Sequence, residues 1–399
     1  MNNESFLFEV LQILPLMDSC KIFLKNIIIK IKMTSKKMKK VADKIKLPTS
    51  ISINKKWFRS ATNGTIAEKQ NHIFNYIQSL TNISDIILSN CQIVTFNTNI
   101  LCCQELVSLD LSNNRIGPDG AKSLELVFSQ CKTLVHLNLS KNLIGANGAE
   151  SIGKMIGQCQ TLLYLNINSN KIGTNGIRSL SKVLKEFGQC KSLIYLNLSN
   201  NQIGSSGIKS LIIAFSILTI KHLDLSWNLI ESSGIEIIER YLYTNMYKTL
   251  SLKSLNLSNN QIEVYGIQSL TQVLQCCPFI DHLDLSFNEI RSDGLEKLSV
   301  FFGKCKCQKL EYLNISNNQI SSIGIEHLSE SLTQCSVLTH LTHLNINNNQ
   351  IGDRGAISLA RVLEHCKSIV CLKLCNNQIG SVGSEIIKKV YKGFKILKL

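Results

Sequence analysis

The sequence predicts an α/β solenoid, a stack of repeated units that each contain one strand and one helix. Ten segments share the pattern seen in LNLSNNQIGSSGIKSL at residues 196–211. Each of the ten carries an Asn, an Ile two residues later and a Gly six residues later, and successive Asn residues lie 27 to 32 positions apart. Repeats of roughly 20–50 residues generally form stacked arrays, because one unit cannot bury its own apolar surface.

Each repeat changes its hydrophobic period partway along. In the first clear copy Leu109 and Leu111 alternate with polar residues, which predicts a short strand with one buried face. Later residues such as Ala121 and Leu124 recur at helical spacing, which predicts a helix after the turn. A degenerate copy, ISDIILSNCQI at 83–93, precedes the ten and has Cys at the Asn position.

The recurring Asn is predicted to be structural. A buried amide offers two donors and one acceptor to backbone groups in a turn that water cannot reach, so stacked copies should form a ladder. A catalytic role is the alternative for any single copy, but ten copies in register favour the structural interpretation. The members are Asn114, Asn142, Asn170, Asn201, Asn228, Asn260, Asn288, Asn318, Asn349 and Asn377.

The recurring Gly, from Gly120 to Gly383, is expected at the junction of turn and helix. It predicts either a positive φ or a close backbone neighbour, because glycine alone tolerates both.

The full pattern, L-x-x-L-x-L-x-x-N-x-I-x-x-x-G-x-x-x-L with a period near 28 residues, resembles the ribonuclease-inhibitor-like class of leucine-rich repeats. This resemblance assigns residues 81–399 to the repeat array. It implies a right-handed horseshoe with a parallel sheet on the concave side and helices on the convex side. It also implies protein–protein recognition, as in ribonuclease inhibitor, the sensor arrays of NOD-like receptors and Ran GTPase-activating proteins.

The charge of the chain is concentrated at its two ends. Residues 1–80 hold 14 basic and 5 acidic residues, a net +9, and residues 385–399 hold 5 Lys and 1 Glu, a net +4. The residues between have a net charge of only +2, from 24 basic and 22 acidic residues. This distribution differs from the broad basic field of a dedicated nucleic-acid binder.

The cysteines point to a reducing compartment. The chain has 15 Cys and no convincing secretory signal or membrane-spanning run, so we expect free thiols and a cytoplasmic location, including delivery into a host cell if the source is bacterial. A zinc site is the alternative, but the spacing does not supply four converging ligands, so no metal is expected. Seven Cys fall in one column near the end of the helix: Cys131, Cys159, Cys190, Cys277, Cys305, Cys335 and Cys366.

The variable residues of the strands are the candidate binding surface. Trp227 and Phe287 stand directly before a ladder Asn, where most repeats have Asn, Lys or Ser. They are either exposed anchors for a partner or packing residues of the turn. The other candidates on the sheet are Tyr164, Tyr195, His222, His282 and Tyr312.

The N-terminal residues carry no repeats. Residues 1–63 are a basic segment, partly helical or flexible, with a possible weak contact to an anionic membrane or to nucleic acid. Residues 64–80 are predicted to form a capping helix. The stretch LPTSISINKKWFRSATN at 47–63 faintly resembles the second half of an F-box.

These features favour a non-catalytic scaffold that binds a protein on the concave face and the strand-to-turn rim, without a cofactor or small-molecule substrate. Two alternatives rest on resemblance. One is a GTPase-activating protein similar to the Ran class, although that family has an acidic segment after its repeats and this chain ends in basic residues. The other is an F-box-like ubiquitin-ligase adaptor.

Overall fold

The structure is a computed structural model of the 399-residue chain. It describes residues 50–52, 68, 70, 83–96, 105–128, 131–187, 191–215, 218–245, 249–304, 309–334, 340–365, 368–390 and 396–398. The predicted basic segment lies outside these ranges except for 50–52. The predicted capping helix also lies outside them, except for Glu68 and Gln70, which are helical.

One parallel sheet runs through the described part of the chain, and its strands are paired in sequence order. Every strand has three residues, and the middle Leu or Ile of each pairs in register with that of its neighbour. The strands are β1 (Ser50–Ser52), β2 (Asp85–Ile87), β3 (Ser108–Asp110), β4 (His136–Asn138), β5 (Tyr164–Asn166), β6 (Tyr195–Asn197), β7 (His222–Asp224), β8 (Ser254–Asn256), β9 (His282–Asp284), β10 (Tyr312–Asn314), β11 (His343–Asn345), β12 (Cys371–Lys373) and β13 (Ile396–Lys398).

Helices alternate with the strands from β3 onward, and each helix contacts the helices of the neighbouring repeats. The predicted α/β horseshoe, with the sheet on its concave side and the helices on its convex side, is confirmed. The helices are α1 (Pro118–Phe128), α2 (Gly145–Gln158), α3 (Gly173–Phe187), α4 (Ser205–Phe215), α5 (Glu231–Thr244), α6 (Val264–Gln275), α7 (Arg291–Gly303), α8 (Ser322–Gln334), α9 (Gly352–His365) and α10 (Ser381–Val390). Within the described ranges, no helix combines the length and apolarity that crossing a membrane requires.

The core lies between the sheet and the helices. The strand leucines that the pattern placed on the buried face, such as Leu109 and Leu111, are at most 2% exposed. In α1 the predicted helical face is also buried, including Ala121, Leu124 and Phe128. The buried residues form one continuous cluster along the array, as stacking of incomplete units requires.

The recurring Gly and the recurring Ile are explained by the same contact. None of the ten glycines has a positive φ, so that alternative is wrong, and the close neighbour that all ten share is a side chain rather than the expected backbone. A Cβ at any of these positions would lie 2.5–2.9 Å from Cγ2 of the Ile four residues earlier in the same repeat. At Gly266 it would also lie 2.9 Å from the backbone of Ser232 in the preceding repeat. The glycine column therefore sets the distance between successive helices.

The strand β1 is a feature that the sequence did not predict. It lies within the segment 1–63 and pairs in parallel with β2, through Ile51 and Ile86. The sheet therefore begins before the first recognisable repeat.

Candidate protein-binding surface

The Asn ladder joins each turn to the turn of the preceding repeat. Asn260, in the middle of the array, is fully buried and donates from Nδ2 to three carbonyl oxygens. Two belong to its own turn, Leu257 O at 3.1 Å and Ser258 O at 3.1 Å. The third, Leu225 O at 2.9 Å, belongs to the repeat before.

The acceptor atom of Asn260 also contacts the preceding repeat. Its Oδ1 accepts from the backbone N–H of Asn228 at 3.2 Å and of Ile230 at 3.4 Å. All ten ladder residues are at most 8% exposed, and equivalent bonds recur from Asn114 to Asn377. The amides therefore pair with backbone groups and leave no surface for chemistry.

The described thiols of the cysteine column are buried. Cys131, Cys159 and Cys277 are at most 9% exposed, and burial raises the pKa of the Cys131 thiol. The column members Cys190, Cys305, Cys335 and Cys366 lie outside the described residues. Among the residues that the structure describes, no group of three or more potential ligands is placed to hold a metal ion.

The residue before the middle Leu of each strand forms a first row across the concave face. Its members stack in two blocks. Tyr164 and Tyr195 are parallel with ring centroids 4.2 Å apart, and His222 lies 6.4 Å beyond Tyr195. His282 and Tyr312 stack at 5.3 Å. The full row is Ser108, His136, Tyr164, Tyr195, His222, Ser254, His282, Tyr312, His343 and Cys371.

Three side chains of this row, Tyr164, His222 and Tyr312, are held in their neutral forms by burial. Burial raises the pKa of Tyr164 to about 12, with a further contribution from Tyr195, so the hydroxyl stays protonated. Burial also raises the pKa of Tyr312. It lowers the pKa of His222 from the ordinary 6.5, so this imidazole is neutral at pH 7. The exposed His282 contacts Asp281, with Nδ1 and Oδ1 3.0 Å apart.

The residue after the middle Leu forms a second row of amides and carboxylates. Asp224 accepts at Oδ1 from the backbone N–H of Ser226 at 3.0 Å, and at Oδ2 from Asn197 Nδ2 at 3.2 Å. Asp284 makes the corresponding bonds to the backbone N–H of Ser286, just after β9, and to Asn314 Nδ2 on β10. The row runs Asp110, Asn138, Asn166, Asn197, Asp224, Asn256, Asp284, Asn314, Asn345 and Lys373.

The residue directly before each ladder Asn forms a rim row with one unusual backbone conformation. All ten members have a left-handed φ between 52° and 58°. Asn adopts this conformation readily, whereas a bulky side chain rarely does. Trp227 and Phe287 nevertheless occupy it, and they are 59% and 52% exposed. The row is Asn113, Lys141, Ser169, Asn200, Trp227, Asn259, Phe287, Asn317, Asn348 and Asn376.

The structure places the predicted contact residues on two different parts of the sheet. Tyr164 and Tyr195 lie together on β5 and β6, while His222 and Trp227 share one repeat and His282 and Phe287 share another. The sequence alone places Asn259 between Trp227 and Phe287, two repeats apart on the rim, but Ser254 on the strand between these repeats was not singled out. The signal was present, because HLDLSWN at 222–228 and HLDLSFN at 282–288 flank SLNLSNN at 254–260.

Comparison with known proteins found two matching family models and a similar solved structure. A leucine-rich-repeat family model matches residues 102–124, 130–153, 158–181, 189–211, 217–237, 250–270 and 276–299, and a second, covering two repeat copies, matches 308–358. The crystal structure of an internalin (inlF) from Listeria monocytogenes str. 4b F2365 is similar, with 21% identity, a TM-score of 0.48, and coverage of 78% of this chain and 80% of that one. A search of curated proteins returned no match.

Proteins with such repeats generally act as interaction scaffolds and are typically non-enzymatic. The ladder, the strand leucines and the matched repeats together show that the chain belongs to the leucine-rich-repeat family.

Proposed function

We propose that the protein is a non-catalytic scaffold that binds a protein partner on the concave face and the rim row. Its subclass is the ribonuclease-inhibitor-like one, and its location is the cytoplasm. Repeat spacings of 27 to 32 residues and a helix of 10 to 15 residues in every repeat support the subclass.

The observation that carries the proposal is the conformation of Trp227 and Phe287. A bulky residue at a left-handed φ costs on the order of 1–3 kcal/mol. Burial does not offset this cost, because both rings are more than half exposed. Large exposed aromatic side chains are the residues that most often dominate the energy of protein interfaces. The exposure of both rings supports contact with a partner over packing within the turn.

The surface beside these residues has the composition of a recognition surface. Tyr and His side chains in the first row offer apolar faces with polar tips, and the amides of the second row offer adaptable hydrogen bonds. The rows are held by the ladder behind them, so their side chains start from a rigid backbone. A rigid surface loses less entropy when it binds.

The test is comparative affinity purification under reducing conditions. Trp227→Asn with Phe287→Asn installs the residue that most repeats carry at the rim, so folding should be preserved. If the two anchors together contribute about 2 kcal/mol or more, their loss should weaken binding of a captured partner at least about thirtyfold.

The matched control is Tyr243→Ala with Val300→Ala, which removes apolar side chains that are 66% and 49% exposed on the helices α5 and α7. If the partner binds the rim variant as tightly as the wild type, the two aromatic residues are not part of the binding site.

A further inference from the structure

The two stacked blocks of the first row are separated by a gap one strand wide. Ser254 on β8 pairs in register with His222 on one side and His282 on the other. Every first-row position from β4 to β11 except Ser254 carries an aromatic or imidazole ring. The floor of the concave face is therefore open above β8.

The second row and the rim row repeat this arrangement on the same three strands. In the second row Asn256 lies between Asp224 and Asp284. In the rim row Asn259 lies between Trp227 and Phe287. The result is a channel along β8. Its walls are the identical runs His222–Ser226 and His282–Ser286, each followed by its aromatic residue. At ~4.8 Å between strands, the walls are about 10 Å apart.

A channel of this width fits one extended chain. An extended segment is about 5 Å wide in the sheet direction, which leaves room for its side chains against both walls. The floor has a donor for such a segment, because no described residue accepts from Asn256 Nδ2. The Oδ2 atoms of the flanking carboxylates accept instead from the amides on their far sides, those of Asn197 and Asn314.

The charge of the walls determines which kind of side chain a segment bound in the channel should carry. Asp224 and Asp284 accept hydrogen bonds only from neutral groups, and among the described residues neither has a cationic partner. Two uncompensated carboxylates about 10 Å apart attract a cation placed between them. Three residues further along, Trp227 and Phe287 present exposed ring faces, which bind ammonium and guanidinium groups.

The opposite end of the channel carries mixed charge. Lys221 and Lys253 precede one wall and the floor, and Asp281 precedes the other wall. Carboxylates without a cationic partner and exposed aromatic rings occur together only at the aromatic end of the described channel, so a basic side chain is directed there.

We propose that this channel binds an extended peptide segment of a partner protein, with an Arg or Lys side chain held between Trp227 and Phe287 and attracted by Asp224 and Asp284. The inference rests on the proposed function, since it identifies the part of the partner that the concave face takes. The recognition is by charge and ring faces on the walls and by the Asn256 amide on the floor.

The experiment uses a random heptapeptide library displayed on phage and panned against the full-length protein under reducing conditions. Enriched peptides should share an Arg or Lys at a fixed position. The leading synthetic peptide is then titrated by fluorescence anisotropy against three variants. Each variant carries a residue that other repeats have at the same position, so each should fold.

The first variant, Ser254→Tyr, fills the gap and should weaken binding at least tenfold. The second, Trp227→Asn with Phe287→Asn, should weaken it at least tenfold. The third, Asp224→Asn with Asp284→Asn, should weaken it about fivefold and reduce its dependence on salt.

The matched control is Asp110→Asn on β3, where the carboxylate makes the same type of contacts, with Ser112 N at 2.8 Å and Asn138 Nδ2 at 3.2 Å. It should leave the affinity within twofold of wild type.

The proposal is overturned if no peptide is enriched, if the enriched peptides lack a basic residue, or if Ser254→Tyr binds as tightly as the wild type. If the peptides bind the wild type and Ser254→Tyr equally, the scaffold function is retained, but the peptide site lies on another part of the sheet. If protein capture depends on the rim aromatics while no peptide is enriched, the scaffold function likewise stands and the channel proposal fails.

Discussion

Removing one amide from the middle of the Asn ladder should weaken the whole array. In Asn260→Ala the side chain no longer donates to three carbonyl oxygens or accepts from two backbone N–H groups. The carbonyls do not become unpaired, because each has a second donor. Leu225 O also accepts from Asn228 Nδ2, Leu257 O from Asn288 Nδ2, and Ser258 O from the Trp227 N–H.

The loss therefore falls on the two donors. The backbone N–H groups of Asn228 and Ile230 are left without an acceptor in a site that is fully buried. A buried donor without a partner costs about 1–3 kcal/mol. The bond to Ile230 is long, at 3.4 Å, so we expect a total loss of about 2–4 kcal/mol in the free energy of unfolding. Because stability in an array depends on contacts between neighbours, the transition should also broaden.

The assay is equilibrium unfolding in urea, followed by circular dichroism at 222 nm in a reducing buffer. Asn259→Gly is the matched control, since it removes a neighbouring amide and keeps a residue that tolerates the left-handed φ of 54°. It should change the free energy of unfolding by less than about 1 kcal/mol. The reasoning is refuted if Asn260→Ala is no less stable than Asn259→Gly.

Three further predictions concern packing and ionisation. Gly266→Ala should destabilise by about 1–3 kcal/mol because its Cβ would lie 2.9 Å from a backbone atom, whereas Gly303→Ala, with contacts of 3.7 Å, should be neutral or stabilising in the same urea assay. Val273→Ile, which extends into a cavity of about 40 Å³ behind β7 and β8, should raise the melting temperature, with a gain of at most ~1 kcal/mol at ~24 cal/mol per Å³. The same change at the equally buried Val183 should give no gain. Burial raises the pKa of the Cys91 thiol from 9.0 to about 12. The protonated thiol therefore contributes to the free energy of unfolding below pH 9, and this contribution is lost as the pH rises toward 12. Urea unfolding at pH 8 to 11 should show a smaller alkaline loss for Cys91→Ala than for the wild type.

The repeating unit was predictable from the sequence because each of its recurring residues has one physical role in every copy. The strand leucines, the buried helical face and the Asn position follow from period and register alone. The glycine left two alternatives open, since sequence does not show φ. The φ values in the structure exclude the first alternative, and the lack of space for a Cβ beside the Ile of the same repeat accounts for the glycine.

The features that were not predictable depend on which strands lie next to each other in the folded sheet. The strand β1 has no repeat pattern, and its place in the sheet depends on pairing with β2. The frequent Asn in the rim row is typical of a left-handed backbone conformation. It does not indicate how exposed the side chains at these positions are. The channel needed the register of β7, β8 and β9, because Ser254 becomes a gap only when both neighbouring strands carry large side chains.

A regular array also separates folding from recognition. Ten positions with the same backbone conformation form the rim row, and residues at eight of them show which side chains the fold accepts there. Trp227 and Phe287 depart from that set at a cost in backbone energy, and Ser254 departs from its own row by leaving a space. A substitution that restores the commoner residue should therefore maintain or increase stability. If the same substitution removes binding, the departure is explained by the partner rather than by the fold.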